Sequence, residues 1–223
     1  MSSIVSKIEE LVTADDLPLQ LESTLKEGDR RQVVRTRFSP ELGYGRHAGP
    51  APDTARAAAV ALLLFRRDGR WHLPLTERPL TLAHHAGQIS LPGGAIDAGE
   101  TALAAAEREL HEELGLQSSR SVVGPLADCY VFASDFRVTP WVMASFEPRI
   151  VWRPHAPEVQ RVIELPLEVL LDENAVGRLT IERGPLVFHA PCFRLDDIRV
   201  WGATAIILDE LAQLLRQLLE KDE

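Results

Sequence analysis

Apolar and polar positions alternate along this chain in two periods, and the switches between them outline its elements. Ile4, Ile8, Leu11 and Val12 recur at helical intervals, which predicts a short amphipathic helix over residues 3–12, broken at Asp15-Asp16-Leu17-Pro18. Residues 57–65 (AAAVALLLF) are a continuous apolar run, closed by the turn Arg66-Arg67-Asp68-Gly69 and followed by a second strand from Trp71 to Thr76. Together they predict a hairpin at the centre of a covered sheet. Gln88 to Leu91 is a short strand candidate that runs into Pro92-Gly93-Gly94. Thr101 is a suitable N-cap and Gly115 a suitable stop for a helix on which Leu103, Ala106, Leu110 and Leu114 share one face. Further strands are expected over 122–131 and 138–146, a short helix over 165–171, a hairpin around Gly184-Pro185, and a leucine-rich amphipathic helix over 203–219. Strands interleaved with helices indicate an α/β protein.

Residues 43–52 (GYGRHAGPAP) concentrate glycine and proline and read as a linker. They divide an N-terminal extension, residues 1–52, from a main domain, residues 53–223, and a chain starting near Pro52 is expected to fold. The extension is a candidate interaction arm or homodimer contact. No apolar run approaches the roughly 18 residues that span a bilayer, and the N-terminus lacks the pattern of a secretory signal. The two cysteines, Cys129 and Cys192, are expected as buried free thiols in a reducing, cytoplasmic setting. A net charge of −9 argues against a nucleic-acid partner. Arg30, Arg31, Arg35 and Arg37 form a local basic cluster, read first as a solvated surface and second as a phosphate contact.

The densest chemistry lies in residues 94–116, GAIDAGETALAAAERELHEELGL. At 3.6 residues per turn, Glu109, Glu112 and Glu113 fall on one arc of the helix, away from its apolar face. Clustered carboxylates repel one another unless water or a cation neutralises them, and hard divalent ions such as Mg²⁺ or Mn²⁺ prefer such oxygen ligands. A solvated charged face is the bland alternative. The turn glycine, the arginine and the closing glycine at fixed spacing favour a site. Gly94, Glu100, Arg108-Glu109-Leu110, Glu112-Glu113 and Gly115-Leu116 match every defined position of the box G-x5-E-x7-R-E-U-x-E-E-x-G-U, so the chain resembles the Nudix hydrolases. That resemblance implies an α/β/α sandwich around a mixed β-sheet, carrying an N-terminal helical extension. It also implies metal binding by Glu109, Glu112 and Glu113, a backbone ligand at Gly94, an orienting role for Arg108, and an orienting or ligating role for Glu100. The implied reaction is attack by water on the pyrophosphate of a nucleoside diphosphate derivative, with a carboxylate taking the proton.

The residues before the box refine the substrate. LTERPLTLAHHAGQISLPGG, residues 75–94, resembles the upstream pattern of the coenzyme A pyrophosphatases at Leu75, Thr76, Arg78, Leu82, His84, Gly87, Gln88, Ile89, Pro92, Gly93 and Gly94. Pro79 and Leu91 depart from that pattern, where serine and phenylalanine are usual. VTP at 138–140, VWGATA at 200–205, Glu158 and the ELPL run at 164–167 are similar to further elements of the same branch. The resemblance implies hydrolysis of coenzyme A to 4′-phosphopantetheine and 3′,5′-ADP. Arg78 is then either a substrate phosphate contact or an ion-pair partner of a box glutamate. His84, Gly87 and Gly93 are candidates to line the substrate, and Glu158 is a candidate metal-binding or water-activating carboxylate. ADP-ribose, NADH or a nucleoside triphosphate are the rival substrates. A catalytically silent binding module is the rival of another class, and the complete box speaks against it.

Overall fold

A computed structural model describes residues 2–27, 37–38, 51–81, 86–117 and 119–221. Its central strand, β1 (Arg56–Arg67), explains why the apolar run is continuous. Ala59, Ala61, Leu63 and Phe65 enter the core on one side of the sheet, while Ala58, Leu62 and Leu64 enter the core on the other. A strand covered on both faces has no polar face to show.

The turn at Asp68-Gly69, with φ of 51° and 81°, returns the chain into β2 (Arg70–Glu77). Positive φ at both central residues suits the twist of a tight hairpin. β3 (Ile89–Ser90) pairs antiparallel with β2, and β4 (Gly93–Ala95) pairs antiparallel with the first half of β1, Ala59 opposite Gly94. Gly93-Gly94 has the composition of a turn, but the backbone continues there as a strand. α3 (Ala102–Leu114) follows, after α1 (Ser2–Thr13) and α2 (Leu17–Glu27) at the start of the chain. The expected strand over 122–131 divides into β5 (Ser121–Pro125) and β6 (Cys129–Val131), both antiparallel to β7 (Phe136–Ala144). β7 runs parallel to β1, with Ala59 beside Thr139, so the sheet is mixed. β8 (Arg161–Pro166) extends it antiparallel beside β2. The helix expected over 165–171 is therefore shorter, α4 (Glu168–Leu171), because Ile163 and Leu165 alternate inward as a strand does.

A second sheet, β9 (Val176–Arg183), β10 (Leu186–Leu195) and β11 (Ile198–Trp201), leads into α5 (Gly202–Lys221). α3 covers one face of the main sheet. α1, α2, α4 and α5 share the core on the opposite face, which completes the α/β/α sandwich. Cys129 and Cys192 are buried and not joined in a disulfide. Among the described residues no helix is long and apolar enough to cross a membrane.

The N-terminal helices are not a layer apart. Leu11, Val12, Leu17, Leu21 and Leu25 are each no more than 6% exposed and belong to the same core as Leu62 and Leu64. Trp71 Nε1 donates to Ala14 O at 2.7 Å, and Arg66 Nη1 donates to Thr13 O at 3.0 Å. The composition of 43–52 suggests a boundary, but the packing ties both sides of it into one core. With that packing, a chain starting near Pro52 is expected to lose cooperative folding. Arg30, Arg31 and Arg35 lie outside the described residues. Arg37 pairs with Glu173 at 2.5 Å and approaches Asp209 at 3.8 Å.

Candidate active site

Two short elements and one connecting segment build the site. α3 begins where Thr101 Oγ1 accepts from Ala104 N at 3.1 Å and ends at Gly115 with φ 66°, the left-handed cap. Ala105, Ala106, Leu110 and Leu114 are buried against β1 and β7, which fixes the rotation of the helix; Leu103 is half-buried at the rim. The same rotation turns the carboxylates towards β4. An added Cβ at Gly94 would lie 2.1 Å from Glu109 Oε1, and one at Gly93 would lie 2.4 Å from Ala59 O. At Gly93 only glycine lets β4 lie this close to the β1 backbone, while at Gly94 a side chain would displace the Glu109 carboxylate.

Arg108 joins the parts. Its Nε and Nη2 donate to the two Glu100 oxygens at 3.0 and 3.2 Å, and Nη2 also donates to Ala95 O at 3.0 Å. Nη1 donates to Glu109 Oε1 at 2.7 Å and to Glu112 Oε2 at 3.0 Å. Glu100 Oε2 further accepts the Asp97 N–H at 3.0 Å, and Arg108 foremost, then Asp97, holds the Glu100 carboxyl below its usual range. Both Glu100 oxygens are thus engaged in fixing the guanidinium, a geometry that suits orientation better than ligation. The Ala95 carbonyl is a partner that no sequence pattern marked, because it acts through its backbone.

Glu113 is different. It is 7% exposed, and its Oε2 has no hydrogen-bond partner among the described residues. Burial first, then the charges of Glu109 and Glu158, push its carboxyl up to about 8, against the opposing pull of Arg78 and the Gly93 N–H. Burial also raises Glu109. Arg78 sits where β2 meets β3, its N–H donating to Gln88 O at 3.0 Å and its carbonyl accepting from Gly87 N at 3.1 Å. Its Nε is buried and likewise has no partner among the described residues. The structure therefore brings Arg78 within electrostatic reach of Glu113 without a hydrogen bond between them. Glu158 arrives on the segment between β7 and β8, about half exposed, with His155 Nδ1 at 3.8 Å. His84 lies outside the described residues, as do Leu82 and His85.

Among the described residues, no three carboxylate, imidazole or thiolate groups converge into a closed metal cage. Arg108 holds Glu109 and Glu112, while Glu113 stands apart with an unpaired buried oxygen. That orphaned oxygen, in an all-oxygen donor set, fits a hard divalent cation.

A stability test follows from Glu113. Its folded-state value of about 8 lies above the ordinary 4.5, so the fold favours the protonated form. This contribution is fully present below about pH 4.5 and is lost progressively as pH rises to about 8. In metal-free protein, Glu113→Gln is expected to gain in melting temperature over the unsubstituted chain across that window, and added divalent metal is expected to close the gap. Parallel melting curves at every pH would contradict the assignment.

Comparison with known proteins adds four matches. The family model described as NUDIX domain matches residues 55–181. The uncharacterized Nudix hydrolase NudL of Salmonella paratyphi B is 35% identical over 158 residues, covering 70% of this chain and 81% of that protein. NudL of Salmonella newport matches with the same identity and coverage. Among solved structures, a Nudix hydrolase from M. smegmatis, RenU, shares 20% identity with a TM-score of 0.49, covering 76% of this chain and 88% of that one.

Proposed function

The chain belongs to the Nudix hydrolase family, whose members act on phosphorus-containing anhydrides with divalent metal ions, and on that footing we propose that it hydrolyses the pyrophosphate of coenzyme A or its derivatives. The products are 4′-phosphopantetheine and 3′,5′-ADP. The observation that carries this reading is the stretch from Leu75 to Gly94, whose pattern resembles coenzyme A pyrophosphatases and whose Arg78, where β2 meets β3, lies within electrostatic reach of Glu113.

Glu109, Glu112 and Glu113 would hold Mg²⁺ or Mn²⁺, with the backbone at Gly94 as an additional oxygen donor. When bound, the metal neutralises pyrophosphate oxygens and lowers the pKa of a bound water. Arg108 keeps Glu109 and Glu112 in register with β4 through the bonds described above. Arg78, with a buried Nε that has no partner among the described residues, takes a phosphate oxygen of the substrate. Gly87 and His84 are further candidate contacts; Gly93 is a candidate through its backbone alone, since β1 fills the place of a side chain there. Glu158 has solvent access and sits near Glu109 and Glu113, so it takes the proton from the attacking water.

The direct test is a comparison of kcat/KM. Coenzyme A is expected to exceed ADP-ribose by about tenfold or more, a difference of ~1.4 kcal/mol in transition-state binding. The reverse order would reject the substrate while leaving the family chemistry intact.

A further inference from the structure

The segment that delivers Glu158 is long and irregular. Between the end of β7 at Ala144 and the start of β8 at Arg161 it contains only bends and one turn. Such a connection holds a carboxylate at a defined place only if something pins it.

It is pinned first to the sheet. Arg67, at the end of β1, donates from Nε to Glu164 Oε2 at 2.8 Å and from Nη2 to Glu164 Oε1 at 2.5 Å. The same Nη2 donates to Ile150 O at 3.2 Å. Trp152 Nε1 donates to Glu164 Oε1 at 2.6 Å, and its ring meets Phe65 edge-on with centroids 5.0 Å apart. All four side chains lie on the face of the sheet that α3 covers, and Glu164 is less than a third exposed. Next, the segment is pinned to α3. Arg153 N donates to Leu114 O at 2.8 Å and His155 N donates to Glu113 O at 3.0 Å. The segment then turns, with Glu158 N and Val159 N both donating to His155 O at 2.9 Å, and rejoins the sheet where Gln160 N donates to Glu77 O at 2.8 Å. The chain of contacts is thus continuous from β1 and β8, through Trp152, to the turn that carries Glu158.

We propose that Trp152 is a positioning residue for the hydrolysis: its indole N–H, seated on the Arg67–Glu164 pair, sets the segment that carries the Glu158 carboxylate to the metal-binding face of α3. The ELPL run acquires a physical reason, since its Glu164 is the anchor. The role rests on the proposed part of Glu158 in taking the proton. A tryptophan that merely fills space beside Phe65 would be replaced by phenylalanine at little cost to turnover. One that positions through its N–H would not.

The experiment is a double-mutant cycle on the full chain with metal, reading kcat and KM separately. Trp152→Phe keeps a ring against Phe65 and removes only the donor. It is expected to lower kcat about tenfold, the range of lost supporting contacts around a metal site, with KM within about twofold. On top of Glu158→Gln, Trp152→Phe is expected to change kcat by less than about twofold, because the group it positions is already disabled. Glu164→Ala removes the acceptor from the other side and is expected to behave likewise, whereas Glu164→Gln, which keeps an oxygen for the indole, retains kcat within about threefold. If Trp152→Phe does not give a cooperative melt, Glu164→Ala against Glu164→Gln carries the same cycle. Unchanged kcat in Trp152→Phe, or an equal fall in both backgrounds, overturns the positioning role. Full kcat in Glu158→Gln alone overturns the part given to Glu158 instead, and the proposal with it.

Discussion

Glu113→Gln is expected to lose about a thousandfold in kcat/KM, equivalent to ~4 kcal/mol of transition-state stabilisation, while the protein keeps its fold. The size follows from where the carboxylate sits. Glu113 is the most deeply buried member of the cluster, with an oxygen that no described protein group satisfies. A glutamine there is nearly isosteric, so packing against the sheet persists. It carries no charge to offset a divalent cation, however, and one of its two donor oxygens becomes an N–H group. Removing a buried charge relieves desolvation, so loss of activity should accompany the gain in metal-free stability described above. That pairing separates a site residue from a structural one, whose substitution lowers both activity and stability. Glu112→Gln should also lose activity. Its side chain is 51% exposed and held by Arg108, so the same substitution leaves the metal-free melt nearly unchanged. A Glu113→Gln protein with full metal-dependent turnover would remove the residue from the site.

A chain beginning at Pro52 is expected to lose cooperative folding. It lacks Leu11, Val12, Leu17, Leu21 and Leu25, all buried against the sheet. Each such side chain contributes about 1.5–3 kcal/mol when fully buried, so the loss is roughly 10 kcal/mol. A whole domain of this kind is stable by only about 5–15 kcal/mol. The deletion also uncovers Trp71 and removes the acceptors of its indole N–H and of Arg66. It takes away Phe38 as well, which stacks on Phe193 at 4.4 Å. Near-ultraviolet circular dichroism and thermal melting check this directly. A sharp melt within a few degrees of the full chain would show that the sheet and α5 close over the gap without the N-terminal helices.

The strongest periodic signals were legible in the sequence, and the failures have physical causes. The run at 57–65 and the helix closed by Thr101 and Gly115 stand as read, because a doubly covered strand and a capped helix leave local traces. α2 was hidden by Pro18. Proline looks like a breaker, yet in the first turn of a helix its missing N–H costs nothing, and Leu17, Leu21 and Leu25 repeat at helical spacing behind it. The contrast between 1–52 and 53–223 was a contrast of composition, and composition says nothing about which apolar face meets which. At the site, the shared arc of Glu109, Glu112 and Glu113 was readable from helix geometry. What a sequence spacing could not express is that Arg108 would hold two of them and leave Glu113 alone in the interior. The Arg67–Glu164–Trp152 anchor was equally invisible, since its members come from β1, β8 and the segment between β7 and β8, and meet only once the sheet has formed.

If this site cuts the pyrophosphate of coenzyme A, chromatography of the products with Mg²⁺ or Mn²⁺ will show it. The purified full chain is expected to convert coenzyme A into equal amounts of 4′-phosphopantetheine and 3′,5′-ADP, with no conversion once metal is chelated. Intact coenzyme A in a reaction where the same enzyme cleaves ADP-ribose or NADH would contradict it.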